Sequence, residues 1–136
     1  MNSAEQTTVS GSYDFTGPAE VVFDVLTDPD RVPRWLPRSV QAESVTTESV
    51  KVRTGDSADE YQVQIVTDRL EVSWHSPGDG GAHGTARVED GPAGGSIVHA
   101  EVTVAAGAGD EETVTRLLGE AMRNLQRDAD DNFNAG

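Results

Sequence analysis

Apolar and polar residues alternate from Thr7 to Phe15, with Val9, Gly11, Tyr13 and Phe15 on one side and Ser10, Ser12 and Asp14 on the other. A period of two is that of a half-buried strand, so the first predicted element is a strand. The pattern turns helical in GPAEVVFDVLTDP, where Val21, Val22, Val25 and Leu26 form an apolar stripe. Pro18 suits the first helical position and Glu20 the positive end of the helix dipole. Pro29 ends that helix. Asp28 is then placed to cap a second short helix beginning at Pro29, made irregular by Pro33, which removes a backbone donor inside it.

VQAESVTTESVKVRTG reads as two short strands joined at Thr46-Thr47-Glu48, with Val50 and Val52 facing one way and Lys51 and Arg53 the other. A polar turn around Gly55 and Asp56 leads to DEYQVQIVTD, where Tyr61, Val63 and Ile65 face inward. Leu70, Val72 and Trp74 then alternate with Glu71, Ser73 and His75, and Pro77 to Gly81 forms a flexible connection. Two more strands fall at about 83 to 89 and 95 to 105 around DGPAGG, the second with Val98, Ala100, Val102 and Val104 on one face. That makes seven strands. From Asp110 the spacing becomes three and four through Val114, Leu117, Leu118, Ala121, Met122, Leu125 and Ala129, which predicts a helix of about twenty residues with one apolar face. Such a helix must lie on something apolar, and the inner face of a curved antiparallel sheet is the surface available.

The composition narrows the class. A chain of 136 residues and 14.4 kDa has the size of one domain, expected to span 1–136 with flexible ends at 1–6 and 132–136. Its 24 acidic residues against 10 basic ones give a formal charge of -14, which repels nucleic acid. Lys51 is the single lysine, so the acidity reads either as a general compositional bias or as steering of a basic partner. Without cysteine there is no disulfide, thiol nucleophile or thiolate metal site. No 18-residue apolar run and no basic-then-apolar leader is present, from which a soluble, cytoplasmic protein without a membrane span is expected.

Candidate chemistry is sparse. His75 and His99 fall on the outward side of their strands and His83 begins one beside a glycine-rich stretch; no two have a spacing that puts them on one local face, so no metal site is expected. The acid pairs Asp59-Glu60, Glu89-Asp90 and Asp130-Asp131 read as solvated charges, and Arg87 as an outward residue paired with Glu89 or a neighbouring strand. GAGD at 107 to 110 lacks the length and lysine of a phosphate loop. Spacing alone assembles no serine or other nucleophile with a histidine and an acid.

FTGPAEVVFDVLTDPDRVPRWLP, about 23 positions, resembles the amino-terminal signature of the polyketide cyclase/dehydrase and lipid-transport families of the START-like or Bet v 1-like helix-grip superfamily (SRPBCC), and the element order resembles it over the whole chain. The resemblance implies an α+β helix-grip fold: a seven-stranded curved antiparallel sheet around the long carboxy-terminal helix, with the two short helices closing one end of an apolar cavity. Trp35 then either plugs that end of the core or touches a ligand. Facing nominates Tyr13, Tyr61, Trp74, Leu118 and Met122 as further cavity wall. The expected function is binding or transport of a small hydrophobic or aromatic ligand. A cyclase or related enzyme, in which Tyr13, Tyr61 or Arg87 would orient substrate, and a chaperone-like or protein-interaction module are the alternatives. No motif identifies catalytic residues, and no cofactor is expected.

Overall fold

The computed structural model describes residues 6–54, 57–76, 82–104 and 111–135, with side chains described for 6–53, 58–76, 82–104 and 111–131. The chain runs β1 (Thr7–Phe15), α1 (Ala19–Thr27), α2 (Val32–Trp35), β2 (Gln41–Val45), β3 (Ser49–Thr54), β4 (Ser57–Val66), β5 (Glu71–His75), β6 (His83–Asp90), β7 (Ser96–Val104) and α3 (Glu111–Ala135). All seven strands form one antiparallel sheet in the order β1-β7-β6-β5-β4-β3-β2. The meander from β2 to β7 puts β1 and β2 on opposite edges. The segment carrying α1 and α2 therefore connects one edge to the other, and both helices are drawn in beside α3.

Register fixes which side chains share a face, because residues directly opposite on paired strands point the same way. Val9 lies opposite Val102, Tyr13 opposite Val98, Val63 opposite Trp74, and Val72 opposite Ala86, so the apolar halves of the strands converge on one inner surface. The core joins Val9, Phe15, Val88 and Val98 of the sheet to Val22, Phe23, Val25 and Leu26 of α1 and to Val114, Ala121, Leu125 and Ala129 of α3. Leu125, Val22 and Val98 are fully enclosed.

Several local expectations shift. Pro18 is the N-cap of α1, with φ -64 and ψ 156, and Ala19 is the first helical residue; extended backbone at a proline fits the half-in position as well as it would the first turn. The buried face of α1 includes Phe23 while Val21 is half-buried, because α1 is wedged between the sheet and α3 and buries more than one stripe. α2 begins at Val32 rather than Pro29, which leaves Pro33 in its first turn, where a missing donor breaks no helical bond. Asp28 does organise the entry, its Oδ1 accepting the Asp30 amide at 2.9 Å. Leu70 adopts a left-handed conformation, φ 50, closing a 3-10 turn at Thr67–Arg69, so β5 starts one residue later. α3 extends to Ala135, 25 residues in all. The expected turn at Gly55 and Asp56, the connection at 77 to 81 and GAGD at 107 to 110 lie outside the described residues, as do 1–5 and 136.

Candidate functional site

Five of the six nominated residues meet in one apolar body. Leu118 and Met122 are buried members of the core, and Tyr13, Trp35 and Trp74 pack on it while keeping part of their surface open. Tyr61 stands apart, half-buried on the inner face of β4 and outside that cluster. Among the described residues, the close backbone neighbours of α3 are β1, α1 and α2, so the helix covers the β1 side of the sheet more closely than the β3–β5 side. Tyr61, Val63, Ile65 and Trp74 occupy that less covered inner wing, all half-buried.

Two glycines shape this surface. The Trp74 indole lies across Gly84, its neighbour in register, so closely that a methyl there would overlap the ring at Cζ2 and sit 2.8 Å from the Glu101 carbonyl oxygen. Tyr13 folds back along β1 over Gly11, where a methyl would lie 2.7 Å from the phenol oxygen. In both places the missing side chain is what lets an aromatic ring lie flat on the sheet.

Among the six nominated residues the polar groups are few, two phenols and two indole N–H groups. Burial, and then the Asp59 carboxylate two residues away on the same face, push the Tyr61 phenol above its ordinary value, so it stays protonated and can donate. The Trp35 Nε1 is a buried donor with no hydrogen-bond acceptor, the single such side-chain atom among the described residues. The backbone around it is anchored, since Asn124 of α3 donates to the Trp35 carbonyl at 3.4 Å. Asp128, 7% exposed, faces Arg31 at 3.3 Å and Arg34 at 3.5 Å, tying α2 to α3.

Two clefts open elsewhere, and neither is lined by any of the six nominated residues. One of about 680 Å³ lies between α2, β2 and α3, and one of about 380 Å³ crosses the outer face over β1, β7, β6 and β5. The outer face also assembles what spacing did not: Ser12 Oγ lies 2.8 Å from His99 Nδ1, and His99 Nε2 lies 2.7 Å from Glu89 Oε2. The Glu89 carboxylate can only accept, so His99 Nε2 donates to it, and Ser12 Oγ is the partner of Nδ1. Register opposes Ser12 to His99 and His99 to Arg87, and Arg87 reaches Glu89 at 3.4 Å, so this chain ties three strands together on an open surface. Glu89 is therefore partnered rather than simply solvated, and so is Asp130, which accepts from Thr16 at 2.6 Å.

His75 and His83 are also paired in register and share the outer face, contrary to the expectation from their separation in sequence, because antiparallel pairing of β5 with β6 sets them opposite each other. Among the described residues no third histidine or carboxylate joins them in a metal-binding group. No described helix is long and apolar enough to cross a membrane.

Comparison with known proteins places this arrangement. Residues 6–130 match the family model described as polyketide cyclase / dehydrase and lipid transport. No curated protein matches the chain. Among solved structures, a protein from Chromobacterium violaceum aligns at 13% identity over 89% of this chain and 96% of its own, with a TM-score of 0.71. A Thalictrum norcoclaurine synthase point mutant, in complex with a transition-state analogue, aligns at 9% identity over 97% and 99%, TM-score 0.70. Ara h 8.0201 aligns at 14% identity over 91% and 97%, TM-score 0.66. At these identities the structural likenesses establish the fold. The family model spans nearly all of the chain, and the sheet it matches is wrapped beside a long carboxy-terminal helix with two short helices between its edges: this chain belongs to the polyketide cyclase/dehydrase and lipid-transport family and has the Bet v 1-like helix-grip fold.

Proposed function

We propose that this protein binds a small hydrophobic or aromatic ligand between the inner wing formed by β4 and β5 and the facing side of α3. The observation that carries the reading is the row of half-buried Tyr61, Val63, Ile65 and Trp74 on the part of the inner face that α3 approaches least. Fully burying an exposed apolar side chain of this size contributes about 1.5–3 kcal/mol, so completing the burial of two or three half-buried ones favours a ligand by about 2–4 kcal/mol. The family's description, which includes lipid transport, supports the same class of occupant.

Two donors give such a ligand a polar end. A buried donor without an acceptor costs about 1–3 kcal/mol, and the Trp35 Nε1 is one; the protonated Tyr61 hydroxyl is another group able to donate. A ligand carrying a carbonyl or ether oxygen satisfies one of them. The inner wing offers no histidine, and its one acid near Tyr61, Asp59, is exposed. Shape and apolar burial therefore dominate recognition, with Tyr61 orienting the ligand, which leaves the protein unchanged.

Protein-observed NMR with a set of hydrophobic small molecules tests this directly. The chain has two tryptophans, so the indole N–H signals of Trp35 and Trp74 are two assignable reporters. Binding should move the Trp74 indole and the backbone amides of β4. A screen in which no compound moves them rejects the site. Multiple turnover that falls sharply in Tyr61→Phe, with folding and affinity preserved, would replace the carrier with a catalyst.

A further inference from the structure

Basic residues are scarce in this chain, 10 against 24 acidic ones, so a place where arginines gather without matching acids is not explained by composition. The cleft of about 680 Å³ between α2, β2 and α3 is such a place: Arg34, Arg38 and Arg127 line it, with Glu120 as its one carboxylate. Arg34 is committed to Asp128 at 3.5 Å. No described carboxylate lies within 4.0 Å of the guanidinium group of Arg38 or of Arg127, both of which are exposed. Glu120 is turned to the backbone, its Oε2 accepting the Arg38 amide at 3.0 Å. Two cations therefore line one concavity with no carboxylate partner among the described residues, in a protein whose formal charge is -14. The lining is mostly polar, and Leu36, Pro37 and Val40 add a smaller apolar part to it.

We propose that this cleft binds a small organic oxyanion, a carboxylate or a phosphate carried on an apolar body. A guanidinium presents paired N–H donors in a planar fork that matches either head group, and an open cleft of several hundred Å³ is the size that small ligands occupy. The acids spread over the rest of the surface repel anions at a distance. The selectivity is consequently local: it needs Arg38 and Arg127, and the body of the ligand rests on the smaller apolar part at Leu36, Pro37 and Val40. The site is separate from the inner wing, since none of Tyr13, Trp35, Tyr61, Trp74, Leu118 or Met122 lines it.

The experiment is a titration of the full-length 15N-labelled chain with 2-naphthoate, 2-naphthyl phosphate and the uncharged 2-naphthalenemethanol. At least one anion should move the amides of Val40, Asn124 and Arg127 and bind at least about tenfold more tightly than the alcohol, the scale of one charge-assisted hydrogen bond. The tighter of the two anions names the head group. Arg38→Gln with Arg127→Gln should abolish the preference and leave the unfolding midpoint in place, because neither guanidinium has an ion pair to lose. Should the double variant unfold, Arg38→Lys serves instead and should keep only part of the preference, having the charge without the fork. The proposal is overturned if the alcohol binds as tightly as both anions, if no anion binds at millimolar concentration, or if the preference survives in the double variant. It is also overturned if the anion shifts fall on the Trp74 indole, an outcome that would leave the inner-wing site standing.

Discussion

Glu89 of β6 accepts a hydrogen bond from the His99 ring of β7 at 2.7 Å, across a register that sets Glu89 opposite Ile97 and His99 opposite Arg87. The pair is diagonal, and it brings together residues that sequence periodicity could only describe as outward-facing. The bond from His99 holds the Glu89 carboxyl below its ordinary value; desolvation opposes this, and the charges of His99 and Arg87 add to it.

From this a pH dependence follows. A carboxyl whose folded value lies below its unfolded one contributes stability in full above the unfolded value and loses it as pH falls through the folded one. The contribution of Glu89 should therefore be constant near neutrality and decline below about pH 4. A 13C-detected titration of the Glu89 carboxyl, compared with His99→Gln, checks the cause: the value should return toward the ordinary glutamate range in the variant. An identical titration in both proteins would assign the shift to something other than His99.

The two aromatic rings that lie on glycines make a prediction of opposite sign from a glycine on the helix. Gly84→Ala forces the Trp74 ring off β6 and meets the fixed Glu101 carbonyl, and should destabilise by about 1–3 kcal/mol. Gly119→Ala, inside α3, meets at 3.3 Å the end of the Arg123 side chain, which can move aside. It should stabilise by about 0.5–1 kcal/mol through helix propensity. Urea unfolding of both variants, followed by tryptophan fluorescence, decides whether the ring placement constrains position 84 as described.

Asp128→Asn should loosen α2 from α3. The carboxylate is 7% exposed and serves both Arg31 and Arg34, and an amide of the same shape keeps the volume but cancels the charge. Because the two arginines retain access to water, the expected loss is about 1–3 kcal/mol rather than the larger cost of a fully buried unpaired charge. Hydrogen exchange should quicken at Trp35 and Leu36 before it does in β7. Uniform acceleration over the whole chain would mean that Asp128 supports the global fold instead.

By itself the sequence determined the elements, because the physics that selects them is local. Alternation at Val9, Tyr13 and Phe15, the apolar run of α1, the polar break at Thr46 to Glu48 and the three-and-four spacing from Val114 to Ala129 each act within a few residues, and each specified a strand, helix or turn that the structure contains. Facing was legible for the same reason, which is why Trp74, Leu118 and Met122 lie on the inner side. The tertiary structure alone decided which faces meet. Which wing of the sheet α3 leaves less covered, and so why Tyr61 stands outside the core while Tyr13 joins it, depends on how a long helix docks on a curved surface. Phe23 is buried because α1 is enclosed on more than one side, which no single-helix periodicity records. Ser12 with His99, His75 with His83, and Arg38 with Arg127 are joined only by strand register and helix docking. Those contacts are set by the summed packing of the whole core, and nothing in the spacing of the residues along the chain encodes them.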